Sequence, residues 1–325
     1  MYKSFLMKKI ILNENRLSVL LEYAGYVNIF ERLVDYVANK IFQAAKQNII
    51  DNGIDIYDGF NIIYKEYIRI MNTPNYIPMD NIIIQSYELS ELIPSNIRIK
   101  TIVFYPSINE TCFNVTNSVY NEKAKIFTIA SFRINPSLCF KDDNKMSSLK
   151  IALQHEFTHL YEYLKRYSNG GYKHGVNDFN NKYYNFHDRN KNIVAKLSYY
   201  LNPSEINAKI SEFYRELLDI SKNIEMDVKF CYDILDKTNV GVLIKDLIKI
   251  KNDFENNPDL TYQIMMWLIK NPTHLDMFPK VRNNSPKTMQ KRLIRMMDYK
   301  INYLYKKIDK IIKKFMENYN NQNMT

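Results

Sequence analysis

Residues 147–160 read SSLKIALQHEFTHL, and this stretch decides how the rest of the chain is interpreted. Serine side chains cap helix N-termini well, so Ser147 and Ser148 predict the start of a helix that runs to about Tyr167. Within that helix, residues 155–159 carry the pattern HExxH, formed by two histidines four positions apart with a glutamate after the first. The stretch therefore predicts a helix with a chemical function.

The spacing of His155 and His159 suits a metal ion. Residues four apart lie about 40° apart around a helix axis and about 6 Å apart along it, so both imidazoles can reach one ion. Glu156 would project beside the same ion without binding it, where it can take a proton from a water that the metal activates. The alternative is a helix with two structural histidines. The metal site is favoured, because two of only five histidines in the chain fall in this pattern.

A catalytic zinc site needs a third protein ligand. The pattern HExxHxxGxxH is excluded, because position 162 is Glu and position 165 is Lys. The remaining candidates are His174, His187, Asp188, Glu205 and Glu212. Glu205 is the preferred one, because it lies at the start of a predicted helix, where its side chain can point at an ion. Ala208, one turn later, is small enough for that helix to pack closely against the HExxH helix.

Glu205 also has an explanation without metal. Asn202 and Pro203 are typical of the N-cap and N1 positions of a helix, which puts Glu205 at N3. In a capping box, the N3 glutamate returns a hydrogen bond to the backbone of the N-cap residue. The sequence leaves this alternative open.

HEFTH on a helix that follows a small sheet, with EINA at 205–208 on a later helix, resembles the gluzincin type (HExxH…E) of the zincin metallopeptidases. The resemblance covers about residues 95–225. It implies a twisted sheet with an edge strand, an active-site helix beneath it and a helical lower subdomain that supplies the glutamate. It also implies that His155, His159 and Glu205 bind Zn²⁺ and that Glu156 is the general base and acid.

Gluzincins usually add a histidine or tyrosine that stabilises the oxyanion, and no motif fixes that residue in this chain. Four side chains are candidates for it: Tyr199, Tyr200, His174 and His187.

The pattern along the chain predicts an α+β fold, a mostly helical chain with a small mixed or antiparallel sheet packed on the HExxH helix. We expect three regions: a helical region over 1–92, a zincin-like catalytic core over 93–225 and a helical region over 226–325. Apolar spacing predicts helices over 17–24, 27–50, 55–71, 202–230, 241–256, 260–270 and 287–317. Alternation predicts strands over 98–105, 112–120 and 125–134, with a hairpin turn at 121–123 and a loop over 168–192.

The composition excludes several classes of protein. Hydrophobic residues at 46% and aromatic residues at 14% exclude a disordered chain. With 7 glycines and no phosphate-binding fingerprint, a dinucleotide or P-loop fold is disfavoured. Three cysteines without a CxxC pair support neither a disulfide framework nor a thiolate metal site, and they indicate a reducing compartment. No apolar run approaches the roughly 20 residues that span a bilayer, so we predict a cytoplasmic protein without a transmembrane segment.

The net charge of +10 favours anionic partners. Much of it lies on the predicted last helix, whose basic face could bind a membrane, nucleic acid or an acidic partner. The simpler explanation is one packed and one solvated face. No basic–aromatic RNA motif accompanies it, so we predict no specific nucleic acid and leave an acidic partner open.

Residues 8–22, KKIILNENRLSVLLE, resemble the N-terminal openings of some tailed-phage proteins, which implies a host cytoplasm or a virion. The function predicted is a zinc-dependent metallopeptidase acting on a peptide or protein substrate. The alternative is a non-catalytic virion component or interaction protein on a zincin scaffold. The presence of Glu156 favours the enzyme, because a decayed site would lose this residue first.

Overall fold

The fold is mostly helical with one small mixed sheet, which confirms the predicted α+β class. A computed structural model describes residues 31–55, 59–89, 101–108, 112–114, 130–141, 146–168, 189–270, 278, 281 and 284–323. The chain divides into two units, Met1–Leu160 and Tyr161–Thr325, and the division falls within one continuous helix. The predicted helix over 17–24 lies outside the described residues.

Two helices open the described part of the first unit. Helix α1 covers residues 31–51 and buries Leu33, Val37 and Ile41, at the spacing from which the sequence predicted it. Gly53 follows with a φ of +74°, a left-handed conformation that glycine adopts without strain. Helix α2 is Phe60–Met71, which starts later than the predicted residue 55.

The sheet has four strands in the described residues: β1 Ile82–Gln85, β2 Thr101–Pro106, β3 Cys112–Asn114 and β4 Ala130–Ile134. Their order is β1-β2-β4-β3; β2 and β4 are parallel, and the outer strands are antiparallel to their neighbours. A short helix, α3 (Ser86–Leu89), follows β1. Strand β1 lies in a segment that the sequence predicted as mostly helical. The predicted hairpin turn at 121–123 lies outside the described residues.

One face of the sheet packs on the HExxH helix through aromatic rings. After a 3₁₀ turn over Pro136–Phe140, helix α4 runs over Ser147–Ser168, as predicted from the sequence. Phe104 of β2 stacks on Phe132 of β4 with ring centroids 5.1 Å apart, and Phe157 of α4 meets Phe132 edge-on at 5.2 Å. Phe157 is fully buried, so this contact fixes the rotation of α4 about its own axis.

In its described residues the second unit consists of helices joined by short turns, and it contains no strand. Its helices are α5 Arg189–Leu201, α6 Pro203–Ser221, α7 Val228–Leu235, α8 Asn239–Asn256, α9 Pro258–Lys270 and α10 Pro286–Asn323. Two predictions were wrong here. Residues 189–192 belong to α5 and not to a loop, and the single helix predicted over 202–230 is interrupted. The Asp227 side chain accepts a hydrogen bond from the Phe230 N–H and so caps a new helix, α7.

Helix α10 has one packed and one solvated face. Leu293, Met297, Leu304 and Ile308 are buried against the other helices of the second unit. The exposed side carries most of the predicted basic residues, namely Lys287, Lys291, Arg292, Arg295, Lys306, Lys310 and Lys313. In the described part of the chain, no helix combines the length and the apolar character needed to cross a membrane.

Candidate metal centre

The two histidines of the HExxH pattern face each other on α4. Their Nε2 atoms are 2.9 Å apart, and their rings meet edge-on at a centroid distance of 4.6 Å. Each is two residues from Phe157, which on an α-helix places it about 160° around the axis from that residue. Because Phe157 is packed on the sheet, His155 and His159 lie on the opposite face of α4, where both are half-buried.

The start of α6 is built as the sequence predicted. The Asn202 side chain accepts a hydrogen bond from the Ser204 N–H at 3.0 Å, and Pro203 is the first helical residue. The backbone N–H of Asn202 donates to the Tyr199 carbonyl at 3.2 Å. In a capping box, the Glu205 carboxylate would accept a hydrogen bond from this same Asn202 N–H. The N–H already donates to a backbone carbonyl. This argues against capping as the reason for a glutamate at this position.

Glu205 is brought to the two histidines. One ligand atom from each of His155, His159 and Glu205 lies within 4.8 Å of the other two, and Glu205 is only 4% exposed. Nitrogen and oxygen ligands at 2.0–2.2 Å from a tetrahedral zinc lie about 3.3–3.5 Å apart, so small side-chain adjustments would bring the three atoms to that geometry. Two histidines and one carboxylate are the ligand set of one class of catalytic zinc site. The residues fit Zn²⁺, and zinc binding itself stays a prediction.

Glu156 follows the first histidine and is 6% exposed. It does not belong to the group of three ligand atoms, as its predicted role as a proton carrier requires. Its burial on α4 keeps bulk water away from the carboxylate. That shielding suits a group that must exchange a proton with one particular water.

Of the other candidate ligands, Glu212 lies in the described part of the chain and does not belong to the clustered ligand atoms. Glu212 accepts hydrogen bonds from Lys209 at 2.8 Å and from the Asn239 amide at 2.7 Å, two turns along α6 from Glu205. The Tyr200 hydroxyl donates to Asp246 at 2.6 Å, and the Tyr199 ring lies against that of Tyr200. The remaining candidates, His174, His187 and Asp188, lie outside the described residues. The oxyanion residue stays unassigned.

Sequence reasoning missed one contact beside the cluster. Glu162 follows His159 by three positions on α4, and its Oε1 atom accepts a hydrogen bond from the Asn207 amide at 2.6 Å. Both residues were visible in the sequence, Glu162 as the reason for excluding one zincin pattern and Asn207 within EINA. Nothing in the sequence indicated that they pair, because they belong to different helices.

Comparison with known proteins gave no match: no family model, no curated protein and no solved structure is similar to this chain. The resemblance to gluzincins therefore rests on residues 155–159 and 205–208.

Proposed function

We propose that this chain is a zinc-dependent metallopeptidase that hydrolyses peptide bonds in peptide or protein substrates. The observation that supports the proposal best is the convergence of ligand atoms from His155, His159 and Glu205 within 4.8 Å, on two different helices. The histidine pair is local to α4, but the carboxylate comes from α6. Such a convergence is what a built metal site requires, and the donor set leaves a fourth position for water or substrate.

Each residue then has one task. A ring nitrogen from each of His155 and His159 and a carboxylate oxygen of Glu205 would hold the metal. Zinc bound there would polarise the scissile carbonyl and lower the pKa of a water toward about 7. Glu156 accepts the proton of the attacking water on its carboxylate and delivers it to the leaving amine nitrogen.

We propose that the protein acts in a reducing compartment, the cytoplasm. If the likeness of residues 8–22 to phage proteins reflects the source, the location is the host cytoplasm or a virion. Cys139 and Cys231 are buried free thiols, and burial raises the pKa of Cys231 to about 11. Protonated buried thiols are unreactive, so these cysteines suit packing and not catalysis. A peptide or protein substrate is the partner we propose. An acidic or virion partner remains a second proposal, supported by the exposed basic face of α10.

Glu156→Gln tests the enzyme directly, because it removes the proton carrier and leaves the proposed ligands in place. Wild type and variant are incubated with a mixed peptide library at equal zinc occupancy, and new N-termini are counted by mass spectrometry. We expect a loss of about 10²–10⁴-fold in cleavage rate. Glu225→Gln, a change of the same chemistry at an exposed position, should retain full activity.

A peptide hydroxamate separates an unproductive library from an inactive site, since it needs an open metal position but no matching subsite. Tight binding to the zinc-loaded protein supports the enzyme. If the loaded wild type neither cleaves any peptide nor binds the hydroxamate, the enzyme is rejected. The non-catalytic interaction protein on a zincin scaffold then becomes the better proposal.

A further inference from the structure

A short hydrogen bond joins the two helices that carry the proposed ligands. The Asn207 amide nitrogen on α6 donates to Glu162 Oε1 on α4 over 2.6 Å, in a half-buried position. Glu162 lies three residues after His159, so the two side chains share a face of α4. Asn207 lies two residues after Glu205, in the first turns of α6. Along the chain the bond is therefore three residues from one proposed ligand, His159 on α4, and two residues from another, Glu205 on α6.

We propose that Glu162 and Asn207 are positioning residues that hold α4 and α6 at the separation a single metal ion needs. The inference rests on the proposed function, because it assigns the pair to the same metal centre. The separation of the two helices sets the distance from the Glu205 carboxylate to an ion held by the histidines, because the carboxylate comes from α6 and the histidines from α4. Hydrogen bonds made to the ligands orient many metal sites, and the Glu162–Asn207 bond would act one step further out, by holding the helices that carry the ligands.

The chemistry of the pair suits a cation site. A carboxylate acceptor makes the hydrogen bond charge-assisted and so short and strong. The donor is a neutral amide, so it adds no positive charge that would repel a divalent cation, as a lysine or arginine at position 207 would. Glu162 itself is not one of the three clustered ligands.

The chain contains a matched control on the same helix. The Asn239 amide donates to Glu212 over 2.7 Å, another asparagine–glutamate bond between α6 and a neighbouring helix. Glu212 is two turns beyond Glu205, and neither residue belongs to the ligand cluster. Loss of this bond should lower the folding stability and leave the zinc affinity unchanged.

The test compares Asn207→Ala, Glu162→Ala and Asn239→Ala in the full chain. Zinc affinity is measured by competition with a chelator, coordination geometry by the visible spectrum of the Co²⁺-substituted protein, and stability by urea unfolding without metal. We expect the two pair variants to lose about 10–100-fold in zinc affinity and to change the Co²⁺ spectrum. The double variant should be no worse than either single one, and Asn239→Ala should keep wild-type affinity and spectrum.

A reversal of the bond separates positioning from a general loss of structure. Asn207→Asp places two carboxylates together and should weaken zinc binding. Adding Glu162→Gln restores the hydrogen bond in the opposite direction, with the donor now at position 162 and the acceptor at position 207. The double variant should recover at least about half of the lost zinc affinity on a logarithmic scale.

Two outcomes overturn the inference while wild type still binds zinc: affinities of the pair variants equal to that of Asn239→Ala, or no recovery in the reversed pair. If wild-type protein itself binds no zinc, the proposed function fails and the inference fails with it.

Discussion

The Nε2 atoms of His155 and His159 lie 2.9 Å apart, on the face of α4 opposite to the sheet contact of Phe157. Two nitrogens bound to one tetrahedral zinc are about 3.3 Å apart, so the pair needs only a small opening to accept the ion. Phe157 packs against Phe104 and Phe132, and this contact turns the opposite face of α4, with both imidazoles, away from the sheet. The packing of one aromatic residue therefore decides which face of the helix presents the two histidines.

The histidine pair predicts metal content. Purified wild-type protein should hold about one zinc per chain by elemental mass spectrometry, and His155→Ala or His159→Ala should abolish binding, because each removes one of three ligands. His274→Ala, a histidine outside the pattern, is the control and should bind zinc normally. A wild-type protein that stays metal-free after reconstitution with zinc contradicts the metal centre.

Substitutions at Glu205 and at Asn202 distinguish a metal ligand from a helix-capping residue. Asn202→Ala removes the bond to the Ser204 N–H and should cost about 0.5–2 kcal/mol of stability, with little effect on zinc affinity. Glu205→Ala should instead weaken zinc binding by at least about 10³-fold, because a ligand is lost. Calorimetry and urea unfolding measure the two effects. If both variants only lose stability, Glu205 is a capping residue.

Glu216 on α6 predicts a pH dependence of stability. Burial, and secondly the neighbouring Glu212 carboxylate, raise the pKa of Glu216 to about 7. The native state therefore binds more protons than the unfolded state between about pH 4.5 and 7, and the free energy of unfolding contributed by this group falls as the pH rises through that range.

Glu216→Gln should accordingly be more stable than wild type above pH 7, by on the order of 2–3 kcal/mol, with the difference vanishing below about pH 4. Urea unfolding at several pH values measures it, with Glu225→Gln at an exposed position as the control. A difference that does not vary with pH would show that Glu216 does not titrate in this way.

Gly241 predicts a steric penalty. A Cβ atom there would overlap the Leu235 carbonyl oxygen, so the backbone must move to accommodate it. Gly241→Ala should cost about 1–3 kcal/mol by urea unfolding. Gly59→Ala is the control, because a Cβ there meets nothing within 4 Å, and it should cost less than about 1 kcal/mol. Equal effects of the two substitutions would rule out this close approach.

Local signals predicted much of the fold. Apolar spacing identified α1 and α10. Ser147 and Ser148 identified the start of α4, and Asn202 with Pro203 identified the start of α6. Strand β1 was missed because a run of three isoleucines has no period that separates strand from helix. The break before α7 was missed because Asp227 acts through a single hydrogen bond, which apolar spacing does not reveal.

For the site, the sequence by itself determined that His155 and His159 share one helix face, because a separation of four residues fixes their geometry within a single element. It also determined the cap at Asn202, which depends on a side chain and the N–H two residues later. Only the tertiary structure brought Glu205 to the histidines and paired Glu162 with Asn207. These residues lie on different helices, and their distances depend on how the helices pack, which no local spacing encodes.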